Sequence, residues 1–396
     1  MGFELNPYDT CVANKMVNGK QCSIGYYVDD NFCTHAETGV LKKVTALVEK
    51  EVGRITTTWG KEHVFLGMRM IFNDNGTVSI CMKDYVIEVL QEFPEKIRRK
   101  ASSPAKNDLF TINHSSPRLD KEKSELFHSL VMKLMWVSQR SRLDISTTIA
   151  FLCTRVSIPT EQDWGKLKRT LEYLNGTIDD VLTLGASSLE KLLNFVDVSF
   201  AMHHDMRSHT GGGASFGRGI FMNMSKKQKI NTGSTTELEV VGVSDYIPNT
   251  IWMMRFLKSQ GYKVKKSIIF QDNESAIKLE RYGKSSSSRR TRHFDVRFFN
   301  LKDKLSEHKI DVVFCPTESM IADFFTKPLQ GKQFHKLRRI VLGMDPITIL
   351  GLCMKPDDGP KERVEETAKH TSAVPTIGSH HVYHHASYAE AVKANV

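Results

Sequence analysis

Leu192-Leu193-Asn194-Phe195-Val196-Asp197-Val198-Ser199 is apolar almost throughout, with one carboxylate close to its end. An apolar run of that length, rich in Val and Phe, predicts a strand over Leu192–Ser199 covered on both faces. The same device returns in Ile268-Ile269-Phe270-Gln271-Asp272-Asn273, where a strand over Ser267–Gln271 runs into an aspartate. Between the two, Ser234-Thr235-Thr236-Glu237-Leu238-Glu239 opens a helix predicted from about Thr235 to Leu257, with Pro248 as a kink. A further aspartate, Asp323, sits in a late helix over Glu318–Phe325, within Met320-Ile321-Ala322-Asp323-Phe324-Phe325-Thr326-Lys327. Strand ends and helix starts converge on one edge of a sheet, so carboxylates distant in sequence can share a site.

Each residue also has a plain structural reading. Asp197 and Asp272 suit turns at strand ends, and Asp323 suits a surface helix. Ser234 and Glu237 fit the S-x-x-E capping box. Glu237 and Glu239 lie about 200° apart around a helix, so at most one of them readily faces a shared site.

Working outward, strands are expected over Ala214–Met222, about Ser225–Asn231 and Ile310–Phe314, and helices over Glu274–Arg281 and Phe294–Leu305. Strands first, then helices and strands alternating, describe a mixed sheet covered by helices. Upstream, Cys22–Val28 and Phe32-Cys33 flank Asp29-Asp30-Asn31 as a hairpin with an acidic tip, and Leu41, Val44, Leu47 and Val48 follow at helical spacing. Val64–Phe72 and Thr77–Met82 flank Asn75-Gly76, a hairpin turn signal, and Asp84 caps a helix that ends before Pro94. Ser102–Pro117 reads as a linker. Helical patterns follow over Lys121–Arg140, Ile145–Val156 and from Pro159 onward. Gly185–Glu190 is a second polar break and the expected domain boundary, and the stretch after Met354 is expected to be disordered.

The chain has 396 residues, 40% of them hydrophobic and 25% charged, as in soluble globular proteins of two ordinary domains. A net charge of +10 favours polyanionic partners without singling one out. Seven scattered cysteines with no CxxC pair argue against a zinc knuckle or a disulfide framework and suit a reducing compartment. The polar start and the interrupted apolar stretch Ile340–Met354 predict neither a secretory leader nor a membrane span.

Tyr27-Val28-Asp29-Asp30 resembles the YxDD catalytic hairpin of reverse transcriptases, and Phe65-Leu66-Gly67 the FLG strand of the copia-type retrotransposon family. Ser141-Arg142-Leu143-Asp144-Ile145 is similar to the family's TRPDI, with Leu143 where the family has Pro. Leu171-Glu172-Tyr173-Leu174-Asn175-Gly176-Thr177 is similar to LRYLKGT. The segments around Asp197, Glu239, Asp272 and Asp323 resemble, in order, SDAD, STTEAEY, DNQSAI and LADILTKPL. Further matches are Arg207–Gly211, Ser225–Gln228 and Arg292–Arg297, so the resemblance runs from about Gly2 to Leu342.

That resemblance implies an α/β (α+β) chain: a truncated reverse transcriptase palm with the YVDD hairpin over 1–100, a helical thumb and connection over 101–186, an RNase H-like mixed five-stranded sheet with flanking helices over 187–342, and a tail over 343–396. It implies that Asp197, Glu239, Asp272 and Asp323 are catalytic metal ligands for two Mg²⁺, with Mn²⁺ as a substitute, and that the enzyme cuts the RNA strand of RNA–DNA hybrids. Two such ions, about 3.5–4 Å apart, clamp a scissile phosphate, and clustered carboxylates repel until cations neutralise them. Asp29 and Asp30 would belong to an incomplete Mg²⁺ site, because the family's upstream Asp and fingers lie before this chain, so no polymerase activity is expected from it alone. Ser199, where the family has a second Asp, and Leu238-Glu239-Val240 in place of Ala-Glu-Tyr are departures that leave the mapped carboxylates in place.

Gly283–Arg292 is serine-rich and then basic, which suits phosphate contacts through Arg289, Arg290, Arg292 and His293, with Lys226 and Lys227 as a second track. The expected partners are an RNA–DNA hybrid or another nucleic acid and the rest of the polyprotein, with no membrane. The family's setting is the cytoplasmic virus-like particle, with the nucleus as an alternative. The rival reading is a decayed copy that binds nucleic acid and cuts nothing. His380, His381, His384 and His385 read as incidental residues of the tail.

Overall fold

The computed structural model describes residues 2–230, 234–282 and 296–352. Of the expected tail over 343–396, only 343–352 are described, with Ile347 buried in the core and Arg218 donating to the Gly343 carbonyl at 2.9 Å, while the stretch after Met354 lies outside the described residues. The chain opens with β1 (Glu4–Asn6), β2 (Asp9–Val17), β3 (Lys20–Tyr27) and β4 (Asp30–Thr34), an antiparallel sheet in chain order, followed by α1 (Thr38–Val52). The acidic-tipped hairpin is β3–β4. Tyr27 pairs with Asp30, which leaves Val28 and Asp29 as the turn, Val28 at a φ of 52°.

Next come β5 (Glu62–Phe65), β6 (Met68–Phe72), β7 (Val78–Cys81) and α2 (Lys83–Glu92). Val64–Phe72 is thus two strands. Leu66 and Gly67 both take positive φ, 53° and 74°, the conformation of a tight two-residue hairpin turn, so Phe65-Leu66-Gly67 turns the chain where continuity was expected. Leucine carries no turn signal, which is why the break was not legible. Met82, not Asp84, precedes the helix, and Asp84 lies in its first turn beside Arg69 at 3.2 Å.

The helical stretch consists of α3 (Lys121–Ser138), α4 (Ser146–Cys153) and α5 (Glu161–Gly176), then β8 (Leu182–Ala186). Thr160 and Asp163 cap α5 reciprocally, each side chain meeting the other's backbone N–H. Residues 102–117 form neither helix nor strand, but they are no tether: Ala105, Leu109 and Phe110 are buried, and the Ser103 hydroxyl donates to Gln330 Oε1 at 2.8 Å.

The remainder is β9 (Lys191–Ser199), β10 (His209–Ser215), β11 (Gly217–Arg218), β12 (Met222–Lys227), α6 (Thr235–Ser259), β13 (Lys266–Gln271), α7 (Glu274–Tyr282), α8 (Val296–Glu307), β14 (Ile310–Phe314), α9 (Asp323–Thr326) and α10 (Gly331–Val341). The expected mixed five-stranded sheet is present in the order β12-β10-β9-β13-β14, with β9, β13 and β14 parallel and β10 and β12 antiparallel. A second five-stranded sheet, β11-β8-β7-β6-β5, joins Gly217-Arg218 to the strands upstream.

Alternation along the central strands fills both faces of the mixed sheet. Val196, Ile269 and Val312 pack under α6, α7 and α8 with Val240, Tyr246 and Leu305. Leu193, Phe195, Ile268, Phe270 and Val313 pack on the opposite face with Leu130, Leu134, Ile149, Leu171 and Leu337 from the other helices. The sheet is therefore the middle of three layers, and the helices of 121–176 form part of one outer layer.

Strand β10 begins earlier than the expected Ala214, because it runs through Gly211-Gly212-Gly213, residues of low strand propensity. Packing explains them. A Cβ on Gly212 would meet the Tyr246 ring of α6 at 2.5 Å, and one on Gly211 would meet Thr326 Cγ2 at 2.6 Å. The same closeness recurs on α6, where a Cβ on Gly242 would lie 2.2 Å from Val198 Cγ2 of β9. Gly242→Val is expected to lower unfolding free energy by about 1–3 kcal/mol, the usual cost of overpacking. Chemical denaturation measures this, and an unchanged midpoint would mean that α6 and β9 are not in such close contact.

Candidate metal centre

Asp197 ends the apolar part of β9 opposite Gly211 and is 2% exposed. Glu239 stands in the second turn of α6, whose first turn is capped by the Ser234 hydroxyl accepting from the Glu237 N–H. Of the two glutamates, Glu239 is buried among Leu238, Val240 and Val241, and Glu237 is not. Asp272 follows the last residue of β13, and its Oδ2 accepts from the Thr317 hydroxyl at 3.1 Å. One carboxylate oxygen from each of Asp197, Glu239 and Asp272 lies within 4.8 Å of the others. Gln271 braces the group, its side-chain amide donating to Glu239 Oε2 at 3.3 Å and its carbonyl oxygen accepting from the Asp272 N–H at 2.9 Å.

Asp323 opens α9 and joins the group from the side. Its Oδ1 pairs with Lys327 Nζ at 2.5 Å, and the same ammonium lies 3.4 Å from Asp197 Oδ2. The Thr326 hydroxyl also donates to Asp197 Oδ2. The expected helix over 318–325 is instead a 3₁₀ turn at Thr317–Ser319 and the short α9, with Thr317 bonded to Asp272 and Asp323 paired with Lys327. The Thr147 hydroxyl of α4 holds α9 in place by donating to the Phe324 carbonyl at 2.8 Å. Thr317, Thr326, Lys327 and Gln271 had no expected role. Lys327 was legible in principle, because a cation four residues after Asp323 is the spacing of a helical ion pair.

Crowding shows in the protonation equilibria. Burial, then Asp197 and Asp272, pushes the Glu239 carboxyl well above the usual range. Burial and Asp197 raise Asp272 as well. Asp323 is pushed from 3.8 to about 7 by burial and by Asp197, against the pull of Lys327. Among the described residues, Lys327 is the one cation ion-paired to these four acids. Converging hard oxygen donors with so little countercharge fit a divalent cation such as Mg²⁺.

The other candidates stand apart. Asp29 and Asp30 are exposed at the β3–β4 tip, and among the described residues no third ligating side chain joins them. Lys226 is exposed on the edge strand β12, and Lys227 beside it pairs with Asp205 at 2.6 Å. Arg289, Arg290, Arg292 and His293 lie outside the described residues.

Fold and centre together define a mixed α/β protein with a buried acidic site of the kind that holds hard divalent cations. Over 321 residues, 80% of its length, the chain is 27% identical to the Retrovirus-related Pol polyprotein from transposon TNT 1-94 of Nicotiana tabacum, of which it covers 24%. It is 24% identical over 316 residues to the Pol polyprotein from transposon RE2 of Arabidopsis thaliana, covering 21% of it. It is 21% identical over 333 residues to the Transposon Ty1-DR5 Gag-Pol polyprotein of Saccharomyces cerevisiae, covering 19% of it. The chain is thus homologous to the Pol polyproteins of copia-type and Ty1 transposons and spans a quarter or less of their length. No family model matches it. Among the described residues no helix is long and apolar enough to cross a membrane.

Proposed function

We propose that the chain is a reverse transcriptase/RNase H segment of a retrotransposon polyprotein, and that its nuclease part cuts the RNA strand of RNA–DNA hybrids endonucleolytically. In this reading 1–100 is the palm segment, 101–186 the thumb and connection and 187–342 the RNase H-like domain, working within a cytoplasmic particle. The observation that carries it is the convergence of Asp197, Glu239 and Asp272 to within 4.8 Å, with Asp323 tied to Asp197 through Lys327. Asp197, Glu239 and Asp272 would hold one Mg²⁺, and Asp197 with Asp323 a second. Bound there, the two ions would supply the positive charge that activates water and stabilises the leaving oxygen. The protein's own part is to hold the carboxylates fixed: Gln271 orients Glu239, Thr317 orients Asp272 and Thr326 orients Asp197. Lys226, exposed on the edge strand β12, would meet a phosphate backbone along the sheet edge.

Incubation of the protein with a hybrid labelled in its RNA strand tests this directly. Internal cleavage that requires Mg²⁺ or Mn²⁺ and stops with chelator is expected. Binding without cleavage by well-folded protein would establish the decayed copy instead.

The raised carboxyls also set a pH dependence. An acid whose folded value lies above its unfolded value penalises the folded state once it ionises, so the penalty grows as pH rises between the two. For Asp323 that window is 3.8 to about 7, and Glu239 and Asp272 act in the same direction. In chelator, Tm should therefore fall across this window, and saturating Mg²⁺ should raise Tm more above about pH 7 than at about pH 4. Thermal melts with equal Mg²⁺ shifts at both ends would count against a carboxylate metal site.

A further inference from the structure

Asp197 has two sets of neighbours. It belongs to the group with Glu239 and Asp272, within 4.8 Å, and its Oδ2 accepts from the Thr326 hydroxyl and lies 3.4 Å from Lys327 Nζ. Lys327 Nζ is also 2.5 Å from Asp323 Oδ1, and Asp323 is not among the three acids that converge. A positive charge therefore already stands between Asp197 and Asp323, where the proposed function puts a second divalent ion.

We infer that Lys327 is a built-in cation that occupies the Asp197–Asp323 position until substrate arrives, so that the free protein takes up a single divalent ion at Asp197, Glu239 and Asp272. This rests on the nuclease reading and adds an order of events to it. A charge-assisted hydrogen bond has to be broken before a divalent ion can replace the ammonium, which weakens that position selectively. The exchange is mechanically simple. The Lys327 side chain is 34% exposed on a flexible four-carbon stem, and it follows α9 at the rim of the site. A substrate phosphate favours it from both sides, because its charge supports a second divalent ion and offers the displaced ammonium a new partner. Lys327 is thus a positioning residue that couples full metal loading to the presence of a polyanion.

Counting ions on the intact, substrate-free chain tests this, by calorimetric titration with Mn²⁺ and by the electron paramagnetic resonance signal of free Mn²⁺. Wild type should bind a single ion, with a second only at far higher concentration. Lys327→Met should bind two, the second at least about tenfold more tightly than in wild type, the size expected when one charge-assisted bond no longer has to be broken. Lys327→Arg, which keeps the charge, should behave as wild type. A melt of each variant in saturating Mn²⁺ identifies folded protein, and Lys327→Gln serves if the Met variant does not fold. Equal ion counts and affinities in wild type and Lys327→Met would overturn the inference while leaving the nuclease reading intact. No ion bound by either protein would overturn both.

Discussion

Asp272→Asn is expected to lower Mg²⁺-dependent cleavage of an RNA–DNA hybrid by at least about 100-fold, since loss of groups one shell behind a metal already reaches that figure. The side chain keeps its shape, and an amide oxygen can still accept from the Thr317 hydroxyl that holds the carboxylate at 3.1 Å. What goes is one negative charge from a group whose members push each other's protonation upward. In chelator the variant should therefore melt no lower than wild type. Lost cleavage with undiminished stability separates a ligand from a folding residue, and cleavage at the wild-type rate would remove Asp272 from the centre.

Asp144→Ala is expected to cost about 3–5 kcal/mol of unfolding free energy, the usual result of stripping one partner from a buried ion pair. Asp144 is 3% exposed, and Arg142 grips it with two bonds of 3.0 and 2.8 Å. The Tyr173 hydroxyl donates to the same carboxylate, and Arg338 of α10 lies 3.6 Å away. Arg142 also reaches the Thr177 carbonyl at 2.9 Å, so this one acid ties the end of α5 to α10. Burial alone would push its carboxyl up, yet Arg142, Arg338 and Tyr173 outweigh burial and hold it below the ordinary value. Its contribution is therefore present above the unfolded value near 3.8 and disappears as pH falls through the lower folded one. Urea titration near neutral pH gives the loss, and a variant within about 1 kcal/mol of wild type would show that the pair contributes little net stability.

Three carboxylates of the acidic cluster were legible from local marks: apolar strands running into Asp197 and Asp272, and a capped helix start before Glu239. Choosing between Glu237 and Glu239 took the family resemblance, and burial of Glu239 agrees with that choice. What the sequence concealed depended on partners far away. The glycines of β10 make sense only against Tyr246 and Thr326, and the turn at Leu66 carries no turn residue. Helix α10 was readable but unread, with Phe334, Leu337 and Ile340 buried at helical spacing. The strands β1 and β2 lie in the polar start of the chain, where short alternation is diluted by Asn, Asp and Pro.

Thr147 and the core of α3 to α5 give the two halves of the chain a common fate. The helices that the family resemblance assigns to another domain cover one face of the mixed sheet, and one of their hydroxyls anchors the segment that carries Asp323. A chain that drifts without selection cannot lose its helical half and keep the acidic centre in place. Damage to Leu134 or Ile149 reaches the acidic centre through the sheet face they cover.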